Sequence, residues 1–151
     1  MRRIRKARKD DLSRIAEIEI FNYRLNFYPI FKNDKYYFSE MQVLASVQQL
    51  LHFPENLENT YVYDDGAVKG FIRVDGEQTK KLFVEPILQG QGIGGELLKY
   101  AVEKCDVNYL WTLEKNTKAI AFYAKHGFVP TGEKVLEEGS TEYLVKLKRE
   151  R

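Results

Sequence analysis

The chain of 151 residues holds one cysteine, two histidines, one tryptophan and four prolines. Each scarcity removes a class of explanation. Cys105 alone cannot close an internal disulfide, so a reducing, cytoplasmic setting is expected. His52 and His126 lack the spacing of a zinc-binding pair, and no metal is expected. No apolar run approaches the roughly 20 residues of a membrane-spanning helix. The basic start, Met1-Arg2-Arg3-Ile4-Arg5-Lys6, is followed by neither an apolar stretch nor a small-residue cleavage site, so no signal peptide is expected. An excess of one charge is missing too: 24 Lys and Arg face 22 Asp and Glu, a net +2. Both signs are spread along the chain, and the Lys146-Leu147-Lys148-Arg149-Glu150-Arg151 tail reads as a solvated strand end. A concentrated basic face for nucleic acid, or a membrane-binding surface, is not expected.

What is present suits a globular protein. Apolar residues make up 44% of the chain, enough for a core. The length predicts a single domain over 1–151, without linker, repeat or low-complexity tract. A domain of this size buries roughly two-thirds of its unfolded surface.

Periodicity orders the elements. Residues 2–7 alternate weakly, as a first strand. Asp10 and Asp11 can cap a helix whose stripe is Leu12, Ile15, Ala16, Ile18 and Leu25. Ser39 and Gln42 have capping-box spacing ahead of a second helix carrying Met41, Leu44, Val47 and Leu51, stopped near Pro54. Residues 60–63 and 67–74 are rich in β-branched and aromatic side chains around an Asp65-Gly66 hairpin turn. Asp75-Gly76 turns the chain into a third strand over 80–84. A helix follows with Leu97, Leu98, Ala101, Val102 and Cys105 on one face. Then come a buried strand over 109–113, a short helix over 117–125 stopped by Gly127, and a closing hairpin over 128–135 and 141–148. The pattern predicts an α/β fold: a mixed, mostly antiparallel sheet of about seven strands with about four helices and one parallel crossover.

The sharpest chemical signal is Gln89-Gly90-Gln91-Gly92-Ile93-Gly94-Gly95, between a strand and a helix. Glycines let backbone N–H groups approach a phosphate closely. The helix start adds unpaired donors and a partial positive charge. Together they suit a pyrophosphate. The run also matches the G-x-G-x-x-G dinucleotide fingerprint literally, with Glu114 downstream to hold a ribose. The context disagrees: Pro86, Ile87, Leu88 and Gln89 separate the strand from the first glycine, and the preceding strands form hairpins rather than parallel crossovers.

A second signal is Asn116, Ala119, Phe122-Tyr123 and Gly127-Phe128. With Gln89, Gly92 and Gly94 ahead of it, the sequence resembles the GCN5-related N-acetyltransferase (GNAT) superfamily, over about residues 82–128. The resemblance implies acetyl-CoA as cosubstrate and transfer of its acetyl group to a primary amine by direct attack. Leu82, Phe83 and Val84 would be the strand whose edge pairs with the pantetheine arm, with an N–H near Val84 polarising the thioester carbonyl. The 89–95 loop, Gln89, Gly90, Gln91, Gly92, Ile93, Gly94 and Gly95, would wrap the pyrophosphate. Asn116 would bond the pantetheine arm, and Tyr123 would be the general acid for the departing thiolate. Plainer uses stand beside these: Asn116 as a helix cap, Phe122 as core, Tyr123 as a seated core phenol, and Lys115, Lys118 and Lys125 as solvated surface.

A lysine-like amine must lose a proton before attack, at about 4–5 kcal/mol near neutral pH; an α-amine needs only about 1 kcal/mol. Glu85, ending the strand before the loop, is the candidate base, and a base working through ordered water is equally consistent. Tyr23, Phe27, Tyr28, Phe31, Tyr36, Tyr37 and Phe38 could line an acceptor pocket, form core, or make the seam of a homodimer. A non-catalytic acyl-CoA sensor or partner module is the alternative function.

Overall fold

The computed structural model describes residues 3–150. Arg2, expected to open the first strand, lies outside them. Seven strands form one sheet in the order β1-β2-β3-β4-β5-β7-β6. They are β1 (Ile4–Lys6), β2 (Thr60–Asp64), β3 (Val68–Asp75), β4 (Gln78–Val84), β5 (Tyr109–Leu113), β6 (Phe128–Leu136) and β7 (Tyr143–Arg149). The β1–β2, β2–β3, β5–β7 and β6–β7 pairings are antiparallel. The β4–β5 pairing is parallel, with Gln78 opposite Tyr109 and Thr79 opposite Leu110. The expected α/β class and the single parallel crossover are therefore present.

The helices are α1 (Leu12–Asn26), α2 (Tyr28–Phe31), α3 (Val43–His52), α4 (Pro54–Glu58), α5 (Ile93–Cys105) and α6 (Thr117–Lys125). Six stand where about four were expected. The extra two, α2 and α4, are single turns begun by Pro29 and Pro54, too short to show a helical period. A π-helical turn, Tyr36–Glu40, precedes α3 and closes with Met41 N–H donating to Tyr36 C=O at 2.9 Å.

Two capping expectations are corrected. Gln42 is itself the residue ahead of α3, in extended conformation, and its amide donates to Ser39 C=O at 2.8 Å, so no capping box forms. Asp11 does not cap α1 through its side chain. Its carboxylate instead accepts from Arg8 N–H at 2.7 Å and pairs with Arg5 at 2.8 Å, holding the 3-10 turn that feeds the helix.

The chain divides into two compact units: Met1–Arg73 with Lys81–Tyr100, and Val74–Lys80 with Ala101–Arg151. In the first, Leu12, Ile15 and Ile18 of α1 pack with Leu50, Val62 and Phe71. Burying each such side chain contributes about 1.5–3 kcal/mol. Leu25, expected on the same stripe, is half exposed, while Ile20 and Asn22 take the buried positions toward this end of α1. In the second unit, Val107, Leu110, Leu113, Tyr123, Phe128 and Leu147 are buried. Phe122, expected in the core, is only half-buried and stacks on His126 at 4.6 Å, while its neighbour Tyr123 takes the interior position.

Candidate coenzyme site

The glycine loop is built by its backbone. After β4 the chain makes a 3-10 turn, Pro86–Leu88, with Leu88 N–H donating to Glu85 C=O at 2.9 Å. Gly90 and Gly92 then both take φ of +86°. A Cβ at either would meet no atom within 4 Å, so the left-handed backbone, not crowding, requires glycine there. Glu96 N–H donates to Gly92 C=O at 3.0 Å and starts α5 directly on the loop. Ile93 is buried and anchors this end, Gln91 is exposed, and Gly94 and Gly95 sit in the first turn. The first-turn N–H groups have no intrahelical acceptors, and they and the helix dipole face the loop. This is the chemistry of a phosphate cradle.

The end of β4 has two unlike edges. Glu85 N–H donates to Lys69 C=O of β3 at 2.9 Å, and Phe83 C=O lies 3.0 Å from where a Cβ on Gly70 would sit, so both face β3. Strand alternation sends the main-chain groups of Leu82 and Val84 the other way. The Val84 carbonyl on that edge is already engaged. It accepts from Asn22 Nδ2 at 2.9 Å and from Gln89 Nε2 at 3.3 Å. Gln89 also donates to Asn22 Oδ1 at 3.1 Å. Its side chain is thus committed to the strand end and to α1; the expected contribution to a pyrophosphate falls to its main chain.

Asn22 is 1% exposed and was not singled out from the sequence. The available signal was its position: an amide four residues after Ile18, on the otherwise apolar buried face of the helix.

Charge around this edge is paired. The Glu85 carboxylate lies 3.5 Å from Arg14 Nη1, and its Oε2 is buried without a hydrogen-bond partner. Arg14 also bonds Glu17 and the Val68 carbonyl. Glu19 pairs with Lys81 of β4. Tyr23, edge-on to Phe83 at 5.4 Å, has its phenol pushed well above the usual value by burial and by Glu19. Arg73 is buried, with Nε donating to Thr60 Oγ1 at 2.9 Å.

The aromatic residues of this region gather in one cluster. Tyr23, Phe27, Tyr28 and Phe31 pack against buried Ile20, Tyr37 and Met41. Arg24 donates to the carbonyls of Tyr37 and Met41, fastening the π-helical turn to α1. Tyr36 and Phe38 are about half exposed.

The remaining candidates belong to the second unit. Asn116 caps α6, its Oδ1 accepting from Ala119 N–H at 3.2 Å. That reproduces the helix-cap use expected of it. Tyr123 lies near the other end of α6, 8% exposed, and burial alone raises its phenol. Lys115 pairs with Glu142, and Glu114 with Lys134. Among the described residues no cluster of His, Cys, Asp and Glu could hold a metal, and no helix is long and apolar enough to cross a membrane.

Known proteins share parts of this sequence and its fold. A family model described as an acetyltransferase (GNAT) domain matches residues 56–130, from α4 through the loop to the start of β6. Peptidyl-lysine N-acetyltransferase YjaB of Salmonella typhimurium is 34% identical over 82 residues, covering 54% of this chain and 57% of that protein. The chain spans about half the length of the curated relatives it matches. The solution structure of apo YjaB from Escherichia coli superposes with a TM-score of 0.74 at 21% identity, covering 96% of this chain and 95% of the other. The PaiA N-acetyltransferase of Thermoplasma acidophilum, solved with coenzyme A, gives a TM-score of 0.63 at 19% identity, covering 96% and 97%. These likenesses concern the fold. The hairpins ahead of the glycine loop also dispose of the dinucleotide reading, because they leave no parallel crossover before it. Joined to the domain match and the paired loop and α6 motifs, they make the chain a member of the GNAT superfamily.

Proposed function

We propose that the chain is an acetyl-CoA-dependent N-acetyltransferase acting on a primary amine, with 1–151 working as one catalytic domain in a reducing cytoplasm. The observation that carries this is the left-handed pair Gly90 and Gly92, opening directly into α5 beside the end of β4. In this reading the main chain of 89–95 holds the pyrophosphate. Of the three strand residues, Leu82 and Val84 supply the edge for the pantetheine arm, Phe83 having its carbonyl turned to β3, and Asn116 adds a bond to it from the cap of α6. The neighbour solved with coenzyme A and the relative named as a peptidyl-lysine acetyltransferase support coenzyme and acceptor class.

The reaction joins the amine nitrogen to the thioester carbonyl carbon and breaks the C–S bond. Negative charge gathers on the carbonyl oxygen. Val84 N–H shares the edge of its clamped carbonyl and is the proposed donor to it; one such donor is worth roughly 3–4 kcal/mol. The amine proton leaves to Glu85, directly or through water. Tyr123 donates to the departing sulfur. With its phenol raised by burial, Tyr123 stays protonated throughout the working range. Full transfer from such a phenol to a thiolate of pKa about 8.5 is uphill, so it acts chiefly as a strong hydrogen-bond donor in the transition state.

The test is release of free CoA from acetyl-CoA with a panel of amines: lysine peptides, α-amino peptides and polyamines. Saturable coenzyme binding with product on one amine class supports the reading. Coenzyme binding without transfer across the panel leaves a non-catalytic acyl-CoA sensor. No coenzyme binding at all removes both.

A further inference from the structure

We infer that Asn22 is a positioning residue for acyl transfer: it sets the direction of the Val84 main chain from α1. The inference rests on the acetyltransferase reading above and adds a residue to it. Three elements meet at one buried amide. Asn22 Nδ2 gives one hydrogen to Ile18 C=O within α1, at 2.8 Å, and the other to Val84 C=O, 62 residues away, at 2.9 Å. Its Oδ1 accepts from Gln89 Nε2 at 3.1 Å and from Asn26 Nδ2 at 3.5 Å. Gln89 Nε2 reaches the same Val84 carbonyl at 3.3 Å and closes a triangle. Every donor and acceptor of the Asn22 amide is used, and the side chain is sealed from solvent.

A residue's N–H and C=O leave a strand on one edge, so fixing the Val84 carbonyl fixes the N–H proposed for the thioester oxygen. Only a primary amide fits. Two hydrogens must go to two carbonyls while an oxygen accepts from Gln89. Leucine leaves, of this triangle, only the longer bond between the Val84 carbonyl and the Gln89 amide, at 3.3 Å, and a carboxylate turns an oxygen toward two carbonyl oxygens. The same helix carries Tyr23, edge-on to Phe83, and Arg24, which holds the π-helical turn. Asn22 therefore joins the helix that carries the aromatic cluster to the strand end proposed for the thioester. Of the proposed phosphate loop only Gln89 is bonded to Asn22; the rest is anchored by buried Ile93 and by the Glu96–Gly92 bond, so the larger effect falls on transfer rather than on coenzyme affinity.

Two variants test this. Asn22→Ala should lower kcat at least about tenfold while the CoA dissociation constant stays within about threefold. Asn22→Asp gives a readout that a merely structural role would not move. Buried against carbonyls, its carboxyl is held above the usual range; the protonated form donates to Val84, and the ionised form repels it. The ratio of variant to wild-type kcat should therefore fall about tenfold or more between about pH 6 and about pH 8.5. Near-normal kcat in a folded Asn22→Ala, or a flat ratio for Asn22→Asp, overturns the inference. Should Asn22→Ala not fold, the Asn22→Asp ratio decides. If the wild type binds coenzyme but transfers nothing, the proposed function has failed separately. The Val84 amide NMR resonance then decides: a shift on adding acetyl-CoA that Asn22→Ala abolishes supports the inference, and identical shifts refute it. A wild type that binds no coenzyme refutes both.

Discussion

Replacing Gly92 by alanine separates what a backbone angle costs the fold from what a methyl group costs a ligand. Gly92 has φ of +86°, Gly127 at the end of α6 has +87°, and a Cβ at either meets nothing within 4 Å. Each alanine therefore adds the same left-handed strain and no clash, about 1–2 kcal/mol. For a domain of this length, 1 kcal/mol moves Tm by about 2–4 °C, so each variant should melt about 2–8 °C below wild type. Only Gly92 lies where main-chain N–H groups are proposed to close on phosphate. Its methyl group should weaken CoA at least about tenfold, near 1.4 kcal/mol, while Gly127→Ala binds as wild type. Thermal melts followed by calorimetric titration with CoA on both variants give all four quantities. Unequal melting shifts would refute the strain account. Equal CoA affinities would refute the phosphate cradle, whatever the melting shifts.

Three further outcomes follow from the same geometry. Tyr123→Phe should cut kcat by roughly 10–100-fold with the CoA dissociation constant within about threefold, read by single-turnover kinetics; unchanged turnover removes the donor role. Glu85→Gln should slow acetylation of a lysine acceptor near pH 7 by at least about tenfold, and much less for an acceptor of low pKa; equal slowing of both would show that the carboxylate is not the base. Asp11, held below the usual carboxylate range by Arg5 and by Arg8 N–H, is ionised in the fold at neutral pH. Its stabilisation is present above the unfolded pKa of about 3.9 and is lost as pH falls through the lower folded value. Asp11→Asn should therefore unfold more easily than wild type in urea near pH 7, by about 1–3 kcal/mol, with the gap closing in acid.

The parts of this fold that could be read in advance are those whose causes are local. Asp65-Gly66 turns β2 into β3 because glycine alone accepts φ of +113° there comfortably, and Gly66 N–H bonds the preceding Asp64 carboxylate. The loop before α5 was legible for the same reason: glycine spacing and a following apolar stripe lie within a few residues. Asn116 and Gly127 bracket α6 by rules that need only four residues. What escaped was set by partners that no periodicity or turn rule names. Asn22 means nothing until Val84 and Gln89, 62 and 67 residues later, arrive beside it. Asp11 looked like a helix cap, but Arg5 and the Arg8 amide claim its oxygens. Gln89 looked like a phosphate ligand, yet its amide completes the strand end.

Lys32 ends α2 with φ of +52°, a backbone setting in which a side chain carries strain that glycine would not. Nothing in the proposed chemistry uses its ammonium. Lys32→Gly is accordingly an unclaimed route to a more heat-resistant protein, by up to about 1 kcal/mol. An enzymologist could thus firm up the connection that supports the aromatic cluster before making any of the more damaging substitutions nearby.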